Sequence, residues 1–167
     1  MVSPVDPIIR EARRVEEDVL YSAKRHFEAA REWNAYHLSI GIPLTVVAAL
    51  TAGSVLSKHG FVAAVLAAVV TAGTALLTFL KPSERAAQHT QAGNAYQSLR
   101  NRTRIFREIT CANPDAHGGA QGLEEALKKL SDERDDLNRK SPITSRRAFQ
   151  RARKGITVGE ADYEADR

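Results

Sequence analysis

The stretch PLTVVAALTAGSVLSKHGFVAAVLAAVVTAGTALLTFLKPSER, residues 43–85, decides the fold of this chain because it is almost free of charge. Before Lys81 it carries one charged side chain, Lys58, although 26% of all residues are charged. Residues 33–57 and 59–80 contain no Asp, Glu, Lys or Arg, and they are 25 and 22 residues long. About 20 apolar helical residues cross the hydrocarbon core of a bilayer. Each stretch is therefore long enough to be a transmembrane helix.

The two stretches predict a helical hairpin that crosses a membrane twice, with spans at about residues 37–57 and 60–80. The segment that joins them is short, so a hairpin is the simplest arrangement. A transmembrane β-barrel is excluded because only two short stretches are apolar. The alternative is a soluble bundle with an unusually apolar central helix pair. A soluble helix normally keeps a polar face, however, and neither stretch has one.

Positively charged residues near the ends of the spans predict the orientation, because cytoplasmic segments carry an excess of Lys and Arg. Six such residues flank the hairpin on its outer ends, and the connecting loop has only Lys58. The six are Lys24, Arg25, Arg31, Lys81, Arg85 and Arg100. Both termini are therefore expected in the cytoplasm. The single Cys111 offers no disulfide pair, which agrees with a reducing cytosol. A cleaved signal peptide is not expected, because the apolar block begins near residue 37, behind a charged segment.

Periodic segments on both sides of the hairpin predict cytoplasmic helices at about residues 7–36, 83–110 and 121–140, which makes the fold an all-α integral membrane protein. The first helix is expected to enter the first span with little interruption, with Trp33 and Tyr36 at the headgroup level. Its stripe is Ala12, Val15, Val19, Ser22, His26, Ala29, Trp33, Tyr36 and Ile40. The other stripes are Ala92, Tyr96, Leu99, Thr103, Phe106 and Ile109, followed by Leu123, Leu127, Leu130 and Leu137. Tyr96, Leu99, Phe106 and Leu130 are the main candidates for packing between cytoplasmic helices.

The last segment, residues 141–167, divides sharply by charge. Its first part holds five basic residues and no acid: Arg146, Arg147, Arg151, Arg153 and Lys154. The basic part is compatible with contact to anionic lipid, with contact to an acidic helix of another subunit, or with a solvated helix face. After Gly155 the tail carries Glu160, Asp162, Glu164 and Asp166.

Small residues form two rows inside the spans, and such rows let helix backbones approach closely in lipid. The first row is Thr45, Ala49, Gly53 and Ser57, and the second row is Gly60, Ala64, Ala68 and Ala72. One row can close the hairpin, which leaves the other faces for further copies of the chain, so we expect a homo-oligomer. An Ala-rich helix also matches this pattern by chance.

Thr71, Thr74 and Thr78 share a face of the second span and are candidates for lining a pore. The alternative is that each hydroxyl binds a carbonyl of its own helix.

Residues that would support catalysis or metal binding are missing from the pattern. The five histidines are scattered without a His-x-x-x-His pair, although His26 and His89 are candidates for a contact between cytoplasmic helices, either as simple packing or as a pH-sensitive contact. No phosphate-binding loop, nucleophile elbow or pair of catalytic acids is present. We therefore expect that the chain is not an enzyme and that it binds no metal, cofactor or nucleic acid.

The runs VEEDVLYSAKRHFEAAREWNAYHLSIGIPLTVVAALTAGSVL, residues 15–56, and LKPSERAAQHTQAGNAYQSLRNRTRIFRE, residues 80–108, resemble the SLATT family of bacterial two-transmembrane effector domains. The resemblance covers roughly residues 10–140, within a predicted two-transmembrane domain of residues 1–140, and is most specific in the AKRHF to AYH and KPSERAAQH to AYQSLRN runs. It implies a membrane effector of an anti-phage or other conflict system, which forms a pore or disrupts the membrane when a sensor or a nucleotide signal activates it. Because this chain has no room for an attached sensor domain, we expect the trigger to be a separate protein or a ligand of the cytoplasmic helices.

Two hypotheses follow from these patterns together with what the resemblance implies. The first is an oligomeric pore-forming or membrane-disrupting effector that causes growth arrest or cell death. The second is a non-conducting membrane anchor or scaffold, whose helices recruit a cytoplasmic partner. A membrane enzyme is not expected, because the predicted spans lack the ionisable residues that such an enzyme would need.

Overall fold

The computed structural model of the chain describes residues 4–56 and 60–161, and within them it contains helices and turns but no strand. The all-α class is therefore confirmed. The α-helices are α1 (Asp6–Leu56), α2 (Gly60–Leu80), α3 (Pro82–Ile105), α4 (Gly119–Lys140) and α5 (Arg146–Thr157). A π-helical turn (Phe106–Thr110) follows α3, and a 3-10 turn (Pro114–His117) precedes α4.

The predicted continuity of the first cytoplasmic helix with the first span is confirmed, since α1 is one helix of 51 residues. It continues past Pro43, which loses one backbone hydrogen bond but does not end the helix. Lys81 separates α2 from α3 in a left-handed conformation with φ 45°, and α3 begins at Pro82. Ser83 therefore lies inside the first turn of α3. Two helices in the described residues are long and apolar enough to cross a membrane.

The chain divides into two compact units. The helical unit comprises Met1–Ala29 and Gln88–Arg167, and the hairpin unit comprises Ala30–Ala87. The first part of α1 therefore belongs to the helical unit, together with most of α3 and the whole of α4 and α5. The second part of α1 and α2 form the hairpin unit.

The core of the helical unit consists of two apolar clusters. The first contains Val5, Ile8, Ala12, Phe106, Cys111, Leu123 and Leu127. The second contains Val15, Val19, Ala23, Tyr96 and Leu99. Half-buried Leu130 packs against both clusters, so the four residues singled out for cytoplasmic packing all lie in this core. The hydroxyl of Tyr96 donates to Oδ1 of Asn138 over 2.9 Å, which adds a polar contact between α3 and α4.

The π-helical turn corrects the predicted packing stripe at its last position. The Cys111 N–H donates to the carbonyl of Phe106 over 2.9 Å, five residues back. Because a π-turn inserts one residue relative to an α-helix, the core position after Phe106 is Cys111. Ile109 is instead 62% exposed. Burial also raises the pKa of the Cys111 thiol.

Candidate functional site

The hairpin unit carries the candidate functional surfaces. Its two helices face each other, and the residues at their contact recur in alternating steps of three and four. We call this contact the seam. The less exposed residues of α1 in this unit include Trp33, His37, Ile40, Leu44, Val47 and Thr51. Those of α2 are Ala63, Leu66, Val70, Gly73, Leu77 and Leu80. This spacing is the one by which two helices pack at a small crossing angle.

Gly73 lies in this seam in close contact with the side chain of Leu44. A Cβ atom built on Gly73 would lie 2.6 Å from Cδ1 of Leu44, so any larger side chain must displace the leucine. Sequence reasoning did not single out Gly73, because α2 is apolar on every side and its pattern does not mark the packing face. The α1 stripe contained a usable signal, since continuing it from Ile40 in steps of four and three leads to Leu44 and Val47.

The two small-residue rows do not form this seam. All their members with described side chains are exposed in the single chain: Thr45, Ala49, Gly53, Gly60, Ala64, Ala68 and Ala72. Ser57 and the loop residue Lys58 lie outside the described residues. Beside Gly53 and Gly60 there is open space, because a Cβ atom on either would meet nothing within 4 Å. Among the described residues neither row therefore closes the hairpin, and the described members of both rows lie on exposed faces of the single chain.

The three threonines of α2 are also exposed. The Thr71 hydroxyl donates to the carbonyl of Ala67 over 2.8 Å, and the Thr78 hydroxyl donates to that of Thr74 over 2.9 Å. These are the bonds to the same helix that the alternative interpretation anticipated. A hydroxyl held in this way keeps its oxygen lone pairs, so Thr71 and Thr78 still offer acceptors on the outer surface.

The aromatic pair proposed for the headgroup level lies next to a cation. The rings of Trp33 and Tyr36 are 5.9 Å apart in an edge-to-face arrangement. The guanidinium carbon of Arg85 lies 4.7 Å from the Trp33 ring centroid, which is a cation–π distance. Tyr36 is exposed, whereas Trp33 is half-buried. This combination of amphipathic aromatic and arginine side chains is typical of the region where a helix passes through lipid headgroups.

The helical unit contains a buried pair of histidines, as the sequence suggested. The Nδ1 atoms of His26 on α1 and His89 on α3 are 3.0 Å apart, so one ring donates a hydrogen bond and the other accepts it. The His26 ring also stacks on Tyr96 at a centroid distance of 5.4 Å. Burial, followed by the proximity of His89 and Arg25, lowers the pKa of His26 from 6.5 to about 4. His26 is therefore uncharged at neutral pH.

The basic residues of the last segment lie on α5, where Arg146, Arg147, Arg151, Arg153 and Lys154 are all exposed. Of the acidic tail, Glu160 folds back to the helical unit and pairs with Lys24 at 3.1 Å. Asp162, Glu164 and Asp166 lie outside the described residues. Among the described residues, no group of three His, Cys, Asp or Glu side chains is placed to hold a metal ion.

Comparisons of the chain with protein-family models, with curated proteins and with solved structures found no match.

Proposed function

We propose that this chain is a bacterial membrane effector of the SLATT type, which crosses the inner membrane twice and assembles with further copies of itself to form a pore or disrupt the bilayer. In this proposal both termini are cytoplasmic, and activation causes growth arrest or cell death. The activating signal comes from a separate sensor or nucleotide-signalling protein, as the resemblance implies.

The outward exposure of the apolar hairpin is the observation that carries the proposal. Phe61 and Phe79 are each 84% exposed in the single chain, and almost none of either apolar window is buried. A monomeric soluble protein rarely exposes a continuous apolar surface of this extent. Lipid tails or other copies of the chain would cover this apolar surface and so remove it from water.

The position of the small-residue rows favours assembly over a purely lipid-facing hairpin. The hydrophobic effect does not drive helices together within lipid, so close packing of small residues is a main source of association. Because the seam with Leu44 and Gly73 already closes the hairpin, the rows are not needed inside one chain. Two outward rows on one hairpin give each copy two surfaces for neighbours, which suits a ring or a larger assembly.

The experiment is to express the full chain in bacteria with its trigger and to record membrane potential and growth. We expect depolarisation in the wild type. Ala68→Leu should reduce it, because a larger side chain at an exposed row position separates neighbouring backbones. Val69→Leu is the matched control, since it adds bulk on a different exposed face. Depolarisation that is equal in all three proteins would contradict assembly through the rows.

A non-conducting anchor is the second candidate function, and the hydrogen bonds of Thr71 and Thr78 to their own helix favour it. Hydroxyls that are satisfied within the helix do not require a water-filled path. The anchor hypothesis expects a wild type that stays polarised while it still acts on growth. It also expects loss of function from changes in the core of the helical unit, such as Leu99→Ala, and not from Ala68→Leu.

A further inference from the structure

Helix α5 has an outer surface on which basic and apolar side chains are combined. Arg146, Phe149 and Arg153 recur at helical spacing, with Arg147 and Lys154 beside them; we call these five residues the α5 face. Phe149 is 45% exposed, and Ile143, three residues before the helix, is 96% exposed. The sequence has no acidic residue from position 141 to position 159. The α5 face is therefore cationic and partly apolar.

The opposite side of α5 packs closely on the rest of the helical unit through small residues. Ala148, Ala152 and Gly155 are buried there. A Cβ atom on Gly155 would lie 2.4 Å from Oε2 of Glu160, whose carboxylate also pairs with Lys24 of α1. The small residues allow the helix to lie flat on the unit, so its long basic side chains point outward.

Both ends of α5 are capped. The Ala148 N–H donates to the hydroxyl of Ser145 over 3.0 Å, which is an N-cap bond. At the other end Gly159 adopts φ 85°, and the Gly159 and Glu160 N–H groups donate back to Ile156 and Gly155. This is the Schellman arrangement of a helix C-terminus. The caps keep the α5 face in one orientation.

The basic residues at the start of α5 are unfavourable for the stability of the helix itself. Arg146 and Arg147 occupy its first turn, which contains no acid. The first turn carries the positive end of the helix dipole and favours acidic side chains. Helix stability does not explain two arginines there, whereas recognition of an anion does, because the dipole and both guanidinium groups then act in the same direction.

We propose that the α5 face binds the anionic lipid headgroups of the cytoplasmic leaflet, with the basic side chains on the phosphates and Phe149 at the boundary between headgroups and acyl chains. This inference rests on the proposed membrane insertion of the hairpin. An amphipathic helix that is rich in arginine and carries exposed apolar residues is typical of binding at a bilayer surface. An acidic helix of a second copy would match the charges but would leave Phe149 and Ile143 without apolar partners.

The experiment places a nitroxide label at Gln150→Cys, an exposed position on α5, in a full chain that carries Cys111→Ser. The protein is reconstituted at one copy per nanodisc, in phosphatidylcholine alone or mixed with phosphatidylglycerol. We expect the label to be protected from an aqueous nickel quencher only in the anionic discs, and to lose this protection in 1 M salt, where the Debye length falls to about 3 Å. A label at Lys129→Cys, an exposed position on α4, should remain accessible in both discs.

Two variants test the chemistry of the contact. Changing Arg146, Arg147, Arg153 and Lys154 to Gln should abolish protection, with each neutralised side chain weakening the contact about fivefold. Phe149→Ala should keep the salt dependence but reduce the protection. Circular dichroism shows whether each variant is folded, and a folded quadruple variant that is still protected would overturn the proposal.

A third label, at Leu50→Cys in the hairpin unit, separates this proposal from the proposed function. If the Leu50 label is accessible to the nickel quencher, the hairpin is not in lipid and the proposed function itself fails. If the Leu50 label is in lipid but the Gln150 label stays accessible in both disc types, only the α5 contact fails. Protection that appears only with two copies per disc assigns the α5 face to a second copy and overturns the lipid contact.

Discussion

The Nδ1 atoms of His26 and His89 lie 3.0 Å apart in a buried contact between α1 and α3. Only one proton occupies the line between the two nitrogens. A second proton there would set two N–H groups against each other and add a positive charge near Arg25, under the Tyr96 ring that stacks on His26. Burial and these neighbours therefore favour the neutral form of His26 in the folded helical unit.

This contact predicts that the helical unit loses stability as the pH falls below about 6.5. The pKa of His26 is about 4 in the folded chain and 6.5 without the fold, so the unfolded chain binds the proton first. The stability that neutral His26 contributes to the fold is fully present above pH 6.5, declines between pH 6.5 and 4, and does not change further below pH 4. The measurement is the thermal unfolding midpoint in detergent at pH 7.5, 6.5 and 5.5, a range in which most carboxylates do not titrate.

The control for this prediction is a double variant, His26→Leu with His89→Leu, in which the midpoint should depend less on pH. His117→Asn changes an exposed histidine and should leave the dependence as in the wild type. A double variant with the wild-type pH dependence would show that other groups cause the effect.

The close approach of Leu44 to Gly73 predicts that Gly73→Leu destabilises the hairpin unit by about 1–3 kcal/mol, because the added side chain overpacks the seam. The single tryptophan of the chain, Trp33, lies in this unit, so its fluorescence during denaturant unfolding reports the change.

Gly53→Leu is the matched variant, because a Cβ atom at Gly53 meets nothing within 4 Å. It should leave the unfolding of the single chain nearly unchanged and instead lower the mass of any assembly in nanodiscs. If Gly53→Leu destabilised the monomer as much as Gly73→Leu, the assignment of the seam would be incorrect.

The third prediction concerns the threonines of α2. Replacing Thr71, Thr74 and Thr78 by Val keeps their shape and removes the hydroxyls, which make no described contact with another helix. Helix content and assembly should survive, whereas ion leakage through a pore should fall. Leakage from dye-loaded or ion-loaded vesicles is the measurement, and unchanged leakage would remove these residues from the pore axis.

The orientation of the hairpin is tested by cysteine labelling in a chain that carries Cys111→Ser. In spheroplasts, in which the outer membrane is removed and the inner membrane is intact, Lys58→Cys should react with an impermeant maleimide. Asn101→Cys, an exposed position of α3, should react only after permeabilisation. The opposite pattern would reverse the predicted topology.

The sequence alone determined the helical class and the position of two helices that are long and apolar enough to cross a membrane. The apolar stretches are long, continuous and bounded by charge, so chain length and hydrophobicity define α2 without reference to any neighbour. The stripe of α1 also kept its phase from Ala12 to Ile40, with Ala23 and His37 taking the places expected for Ser22 and Tyr36. Such patterns are visible in one dimension because helical periodicity is local.

Only the tertiary structure decided which faces meet. Gly73, and not a small-residue row, lies in the seam, because an all-apolar helix presents no face that differs in hydropathy and the fit between side chains selects one. The π-helical turn exchanged Ile109 for Cys111, which no periodic pattern predicts because the turn itself changes the period. His26 and His89 are 63 residues apart in the chain, and packing of α1 on α3 brings their rings into hydrogen-bond contact.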